Sequence, residues 1–232
     1  MAPNLGRLPT GIRSLDALLA GGLEEGAITE IFGEGGTGKS NFCLWMAART
    51  ALSDRWVVYI DTEGLSLDRL DQVARGQGAD LSRVVRRLLL TSPKTLEEQE
   101  RAVERACSLA VEQERRVGLV IVDSATLLYR LQLGMEEEGV ARQSLSVQMA
   151  DLLHAGLECA IPILITNQVW RDVQTRQFEP IGGSFLNHVA KTILRFERAR
   201  EGWRRAVLLK HRSLPDGGVA TFRLTDAGIV SG

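Results

Sequence analysis

Cysteine is scarce in this chain. The three residues, Cys43, Cys107 and Cys159, are odd in number, widely spaced and set among apolar neighbours. That pattern excludes a disulfide framework or a cysteine-built zinc site and reads as buried thiols in a reducing compartment. Histidine is equally sparse. His154, His188 and His211 fall in different segments with no cysteine or carboxylate at ligand spacing, which removes a histidine-built metal centre. No apolar run approaches the roughly 18 residues needed to cross a bilayer. The start MAPNLGRLPTG has no charged region followed by an apolar stretch, so no secretory signal is expected and the location is cytoplasmic. Charge of one sign is also missing, since 28 basic residues face 29 acidic ones for a net −1. Taken as an average, this argues against a surface built wholly for a polyanion. Internal repeats, low-complexity tracts and linkers are absent.

What remains is ordinary globular material: 232 residues, 44% hydrophobic and 25% charged, enough to bury a sizeable core. The neutral average hides an asymmetry. Lysine occurs only at positions 39, 94, 191 and 210, against 24 arginines. From Lys191 to Arg212 eight basic residues meet only Glu197 and Glu201, so this stretch carries +6 and the rest of the chain −7.

Strand-like and helix-like segments alternate. Ala27–Phe32, Trp56–Ile60, Arg87–Thr91, Leu119–Val122 and Ile161–Thr166 are apolar runs of the kind that fill parallel strands covered on both faces. Between them Asn41–Leu52, Leu67–Arg75, Thr95–Arg116 and Glu138–Leu157 have helical periodicity. The acids and arginines of Glu97–Arg116 recur at helical spacing and read as a solvated face. Beyond Thr192 the pattern changes to strands joined by turns: Thr192–Glu197, Arg205–Lys210 and Thr221–Leu224, with Pro215-Asp216-Gly217-Gly218 between the last two. The expected fold class is α/β: three αβα layers around a mainly parallel central sheet, with an antiparallel C-terminal extension.

Gly33-Glu34-Gly35-Gly36-Thr37-Gly38-Lys39-Ser40 has the P-loop spacing GxxxxGK(S/T), between an expected strand and an expected helix. Glycines there let successive backbone N–H groups turn inward onto phosphate oxygens, at the positive end of the following helix. Lys39 reaches the outer phosphates and Ser40 takes Mg²⁺, so ATP and Mg²⁺ are the expected cofactors, held by Gly33 to Ser40 and by Asn41. Asp123 ends an apolar strand, where a carboxylate orients the same metal. Glu63 lies just beyond the end of Trp56–Ile60, placed to align and partly deprotonate an attacking water.

Further blocks carry a family resemblance. Leu8-Pro9-Thr10-Gly11, Ser14-Leu15-Asp16, Leu18-Leu19-Ala20-Gly21-Gly22 and Gly26-Ala27-Ile28-Thr29-Glu30 lead into the P-loop. Tyr59-Ile60-Asp61-Thr62-Glu63-Gly64, Val122-Asp123-Ser124-Ala125-Thr126 with Tyr129-Arg130, Ile165-Thr166-Asn167-Gln168-Val169, Pro180-Ile181-Gly182-Gly183 and Leu214-Pro215 follow in order. Over nearly its whole length the sequence resembles the RecA-type recombinases, and at this size most of all the RadB family, the short archaeal paralogues of RadA. The resemblance implies a RecA-type P-loop NTPase core. It makes Glu63 the catalytic carboxylate, with Lys39 and with Gln168 as the γ-phosphate sensor that couples nucleotide state to DNA-binding loops. Arg69 falls where the archaeal proteins stack an arginine on adenine, although Leu65–Asp68 is one residue shorter than their pattern. Arg130–Gly139 and Val169–Gly183 correspond to the two DNA-binding loops, and Lys210 with Pro215-Asp216 lies near segments that reach a neighbour's nucleotide in filaments.

Full-length recombinases of this group carry an N-terminal helix-hairpin-helix domain and an aromatic polymerisation motif ahead of the core. This chain begins almost at the core, so residues 1–232 are expected to form one ATPase domain without either. Glu136-Glu137-Glu138 is also an unfavourable charge for gripping phosphates. The expected function is therefore ATP-dependent DNA binding in homologous recombination and repair, with weak DNA-dependent ATP hydrolysis. The partners would be single-stranded or double-stranded DNA, a RadA-type recombinase or another repair protein, and further copies of the chain; a membrane is not among them. A nucleotide-gated adaptor with negligible catalysis, and a KaiC-like or helicase-type RecA-fold ATPase, are the alternative readings.

Two DNA contacts stay open at the level of sequence. The +6 stretch is either a track for a nucleic-acid backbone or a solvated edge with its arginines on two faces. In the second loop Arg171, Arg176 and Phe178 bind phosphate and stack a base, or Trp170 and Phe178 anchor the loop on the core. Arg130 belongs to the first loop. The cluster Arg83, Arg86 and Arg87 reads neither way.

Overall fold

Four apolar runs of five to seven residues lie buried side by side because each is covered on both faces, and a fifth, of four residues, lies half-exposed at the edge of the same sheet. The computed structural model describes residues 6–112, 116–133, 138–171 and 178–232, the side chains of Arg171 and Ser184 excepted. In chain order β1 (Arg7–Leu8), α1 (Arg13–Leu18) and β2 (Leu23–Glu24) make a lead-in. Then come β3 (Ile28–Phe32), α2 (Lys39–Leu52), β4 (Trp56–Asp61), α3 (Leu67–Gly76), α4 (Leu81–Val85) and β5 (Leu88–Thr91). Next are α5 (Leu96–Val111), β6 (Val117–Asp123), α6 (Leu127–Gln132), α7 (Glu138–Cys159) and β7 (Ile163–Asn167). The last part holds β8 (Val169–Arg171), β9 (Phe178–Pro180), α8 (Gly183–Val189), β10 (Thr192–Arg198), β11 (Trp203–His211), β12 (Val219–Thr225) and β13 (Gly228–Ser231).

Nine strands form one sheet in the order β13-β12-β11-β10-β3-β7-β6-β4-β5. The six from β10 to β5 are mutually parallel, while β11, β12 and β13 add on antiparallel. The expected parallel sheet with an antiparallel C-terminal extension is what the chain builds. Alternation along each strand feeds two cores. Val57 and Tyr59 of β4, with Leu119 and Ile121 of β6, join α1, α2, α3 and α4. Val58, Ile60, Val120 and Val122 point the other way, to α5, α6, α7 and α8. This period of two is why the strands read as continuous apolar runs.

The extension is packed against the P-loop helix. Phe196 of β10 meets Phe42 of α2 edge-on at 5.8 Å and Phe222 of β12 at 5.1 Å between ring centroids. Differences from the sequence reading are at ends and in short pieces. The helix expected over Thr95–Arg116 runs from Leu96 to Val111, with Thr95 accepting the Glu98 N–H as its cap. Residues 113–115 of that segment lie outside the described residues. One-turn or two-turn elements such as α1, α4, α6 and α8 are too short for periodicity to register. No helix among the described residues is long and apolar enough to cross a membrane.

Register fixes the site. Asp61 stands opposite Asp123 across β4 and β6, Val122 is level with Ile165, and Asn167 is level with Phe32. Four strands thus end at nearly one level, with Asp123 the last residue of β6 and Gly33, Glu63 and Gln168 just beyond the ends of β3, β4 and β7. Crevices at the carboxyl ends of parallel strands are where α/β sheets bind ligands.

Candidate active site

The loop from Gly33 to Gly38 folds as its glycines allow. Gly36 and Gly38 have φ of 76° and 101°, a region closed to side chains bearing Cβ. A Cβ on Gly33 would stand 2.2 Å from the carbonyl oxygen of Phe196, and one on Gly36 would stand 2.5 Å from the Arg198 guanidinium. The loop therefore rests on β10, and Arg198 donates to the Gly35 carbonyl at 2.6 Å. Thr37 closes the turn by donating its hydroxyl to the Glu34 carbonyl at 2.8 Å. Lys39 is only 9% exposed. Its ammonium donates to the carbonyls of Gly33 at 2.8 Å and Glu34 at 3.2 Å. Burial lowers its pKa, while Glu63 and Asp123 pull it back up.

Asp123, 2% exposed, is held on both oxygens. Thr166 donates its hydroxyl to Oδ1 at 2.6 Å and Tyr59 to Oδ2 at 2.9 Å, and the Ser40 hydroxyl lies near enough to favour the ionised form of the same carboxylate. Burial raises the Asp123 pKa; the three hydroxyl donors act against that rise. Ser40 and Asp123 thus stand together at the mouth of the loop. A hydroxyl, a carboxylate and an ammonium beside a glycine-rich loop are groups that a magnesium–polyphosphate requires. The residues present fit that group. No cluster of three or more histidine, cysteine or acidic residues able to hold a metal occurs among the described residues.

Glu63 is exposed at the edge of this pocket. Its backbone is anchored by Asp61, which accepts the N–H groups of Glu63 at 3.2 Å, Gly64 at 2.9 Å and Leu65 at 2.6 Å. Its carboxylate accepts the side-chain amide of Gln168 at 2.9 Å, and Gln168 in turn accepts from Arg130 at 3.0 Å. Three residues drawn from 63, 130 and 168 therefore form one line from the pocket towards the hairpin β8–β9.

Arg69 lies at the other rim. It donates to Asn41 at 2.6 Å and to Gln72 at 2.8 Å. Further bonds reach the carbonyls of Thr225 at 2.8 Å and Asp226 at 3.0 Å. It ties the P-loop helix to the turn between β12 and β13. Phe178 opens β9 and is 38% exposed, next to a cleft of about 410 Å³ also lined by Asn187, Arg195 and Lys210. The side chain of Arg171 and the whole of Arg176 lie outside the described residues, as do 134–137 of the first loop.

The +6 stretch is not a continuous track. Arg195 and Arg205 both pair with Glu197, Arg212 pairs with Glu24, and Arg198 serves the P-loop. Lys210 caps the end of α8 through the carbonyls of Asn187 and Ala190. Strand alternation places these charges on two faces. Tyr59, Asp61 and Thr166 stand in the blocks that carry the resemblance without a role read for them there, and Arg198, which serves a loop 163 residues away, carried no signal beyond its charge.

Glu30, also missed as a site residue, is fully buried on β3. Burial pushes its carboxyl from the usual 4.5 up to about 7, against the lowering effects of the Asn167 hydrogen bond and Lys210. The folded state then holds a proton that the unfolded chain has released, so unfolding free energy falls as pH rises from about 4.5 to about 7. The loss amounts to about 3 kcal/mol. Glu30→Gln, neutral at every pH, is expected to be more stable than the parent at pH 8 by that amount relative to the comparison at pH 4. Denaturant melts of both proteins at the two pH values check this; an equal difference at both would refute it.

The sequence profile of the Rad51 family matches residues 3–231. A "DNA repair and recombination protein RadB" of Methanococcoides burtonii is 39% identical over 224 residues, covering 96% of this chain and 97% of that protein. The protein of the same name in Methanoculleus marisnigri is 41% identical over 223 residues, with the same two coverages. Among solved structures, one described as the crystal structure of the RadB recombinase superposes with a TM-score of 0.82 at 33% identity, covering 97% of this chain and 99% of that one.

Proposed function

The chain belongs to the Rad51 family as a RadB-like recombinase paralogue, and from that premise we propose that it binds ATP with Mg²⁺, hydrolyses it slowly and acts on DNA in recombination and repair. Gly33 to Ser40 and Asn41 hold the nucleotide, with Arg69 beside the base. Ser40 and Asp123 would hold the metal, which would supply charge neutralisation to the phosphates. Glu63 orients a water in line with that group and takes its proton as the water oxygen bonds to phosphorus and the bridging bond breaks. The observation carrying this reading is the Gln168 amide on the Glu63 carboxylate, beside the Ser40–Asp123 contact. It ties the water-orienting group to the base of the β8–β9 hairpin.

DNA would be met by Arg130 and Phe178, and by Arg171 and Arg176 as the resemblance implies, phosphate falling to the arginines and base stacking to Phe178. A cytoplasmic protein working beside a RadA-type recombinase or another repair protein, on single-stranded or double-stranded DNA, fits these parts. With about four phosphates neutralised, log affinity for single-stranded DNA is expected to fall with log salt at a slope near −3. Fluorescence anisotropy of a labelled oligonucleotide across a salt series reads that slope directly, and a flat response overturns the phosphate contacts. Single-turnover hydrolysis with and without single-stranded DNA tests the enzyme itself. Stimulation supports the ATPase, whereas tight ATP binding without turnover favours the nucleotide-gated adaptor.

A further inference from the structure

The nucleotide pocket lies at the carboxyl ends of the parallel strands, and the amino ends carry a different feature. There α2 ends at Leu52, α4 ends at Val85, and β4 and β5 begin at Trp56 and Leu88. The carbonyls of a helix C-terminus favour cations, and arginines gather here. Arg83, Arg86 and Arg87 line a recess of about 410 Å³ together with Ala51, Leu52 and Asp54. Arg83 also lines an adjoining hollow of about 270 Å³, beside Arg75 and Asp80. Strand β4 is six residues long, about 20 Å, so the recess and the nucleotide pocket stand a strand's length apart.

The charges of the recess are poorly matched. Among the described residues Asp54 is the one acid in its wall, and it stands 3.7 Å from Arg87 with its own side chain 92% exposed. Arg87 lies over the Trp56 ring at 5.4 Å, which steadies the guanidinium plane. Arg86 donates through Nε to the Ser82 carbonyl at 3.1 Å, and its terminal nitrogens have no partner among the described residues. The Arg83 side chain is exposed and has neither hydrogen bond nor ion pair among them. Arg75, by contrast, already pairs with Asp71 at 2.8 Å. Arg83 is three positions from Arg86 and four from Arg87, spacings at which like charges repel. One arginine would serve the two helix ends without that repulsion. We propose that Arg83, Arg86 and Arg87 form a second DNA contact, which takes the phosphate backbone of a duplex at the end of the sheet opposite the nucleotide pocket. It rests on the DNA reading above for the identity of the polyanion. Guanidinium forks match phosphate oxygens two at a time. Among the described residues no aromatic ring lines the recess, so unpaired bases have nothing to stack on there and the backbone alone is held.

The test is fluorescence anisotropy of the full chain with a short labelled duplex and with a labelled single strand of equal length, without nucleotide, across a salt series. Arg83→Gln combined with Arg86→Gln removes two of the contacts. The slope of log duplex affinity against log salt is expected to become shallower by about 1.8, and duplex affinity at low salt to fall about tenfold. The same variant is expected to hold the single strand and a fluorescent ATP analogue within about threefold of the parent. Arg83→Lys with Arg86→Lys keeps the charges and is expected to keep most of the slope. Unchanged duplex affinity and slope in the glutamine variant overturn the proposal and leave the contacts of Arg130 and Phe178 standing. Equal losses for duplex and single strand overturn it as a duplex site, and a loss as large in the lysine variant overturns the charge contact. Oligoglutamate that displaces the duplex as well as unlabelled DNA of equal charge points to an acidic protein segment and overturns it too. A parent that binds the single strand and not the duplex overturns this contact alone, whereas one that binds neither removes the DNA reading with it. Should the double variant fail to fold in a thermal melt, Arg86→Gln alone, expected to make the slope shallower by about 0.9, decides the matter.

Discussion

Lys39→Ala is expected to weaken ATP binding by about a thousandfold, some 4 kcal/mol. The side chain is almost wholly buried and its ammonium rests on two loop carbonyls, Gly33 and Glu34. A polyphosphate offers far stronger acceptors at the same place, because a charged donor to an anionic oxygen makes a shorter and stronger bond than one to a neutral carbonyl. Glu63 and Asp123 both act on this lysine. Without it, two carboxylates would face the phosphates with one fewer cation between them, so the loss combines a missing attraction with an uncovered repulsion. Titration of a fluorescent ATP analogue reads the result, with a thermal melt as the check on folding. Affinity within about threefold of the parent would sink the assignment of Lys39 to the phosphates.

Glu63→Gln is expected to leave ATP affinity nearly unchanged and to lower the single-turnover rate by about a thousandfold, again some 4 kcal/mol. Glutamine has the same shape, and its carbonyl oxygen can still accept from Gln168, so the line to the hairpin survives. What disappears is the carboxylate that takes the proton of the attacking water. The Asp61 anchor beneath the loop is untouched, since it acts through backbone N–H groups. Binding and turnover should therefore separate cleanly. Unchanged hydrolysis in this variant excludes Glu63 as the water-orienting group and moves the search to Asp61 and Asp123.

The P-loop and the strand alternation were legible because both are local. Eight consecutive residues hold the phosphate geometry in their own backbone, and four of the five apolar runs state their burial by composition, the fifth forming the half-exposed edge strand β5. The short elements were not legible. Six residues in α1 or five in α4 make too few turns to show a period, and the three-residue strands β8 and β9 exist only because they pair with each other. The partners of the charged residues were not legible either. Eight basic residues between Lys191 and Arg212 read in sequence as either a polyanion track or a solvated edge. In the fold Glu197 takes two of the arginines, Glu24 takes Arg212, and the P-loop and α8 take Arg198 and Lys210.

The sequence alone determined the fold class, the position of the phosphate loop and the family, since each depends on residue type at fixed short spacing. Which side chains meet was decided by the tertiary structure. Ser40 reaches Asp123, Gln168 reaches Glu63 and Asn167 reaches Glu30 only because β3, β7, β6 and β4 lie side by side and end at one level. A register shift of one residue would turn the strand residues among them, Glu30, Asp123 and Asn167, to the opposite face of the sheet. Strand order and register depend on how the whole core packs, and no short window of sequence contains that information.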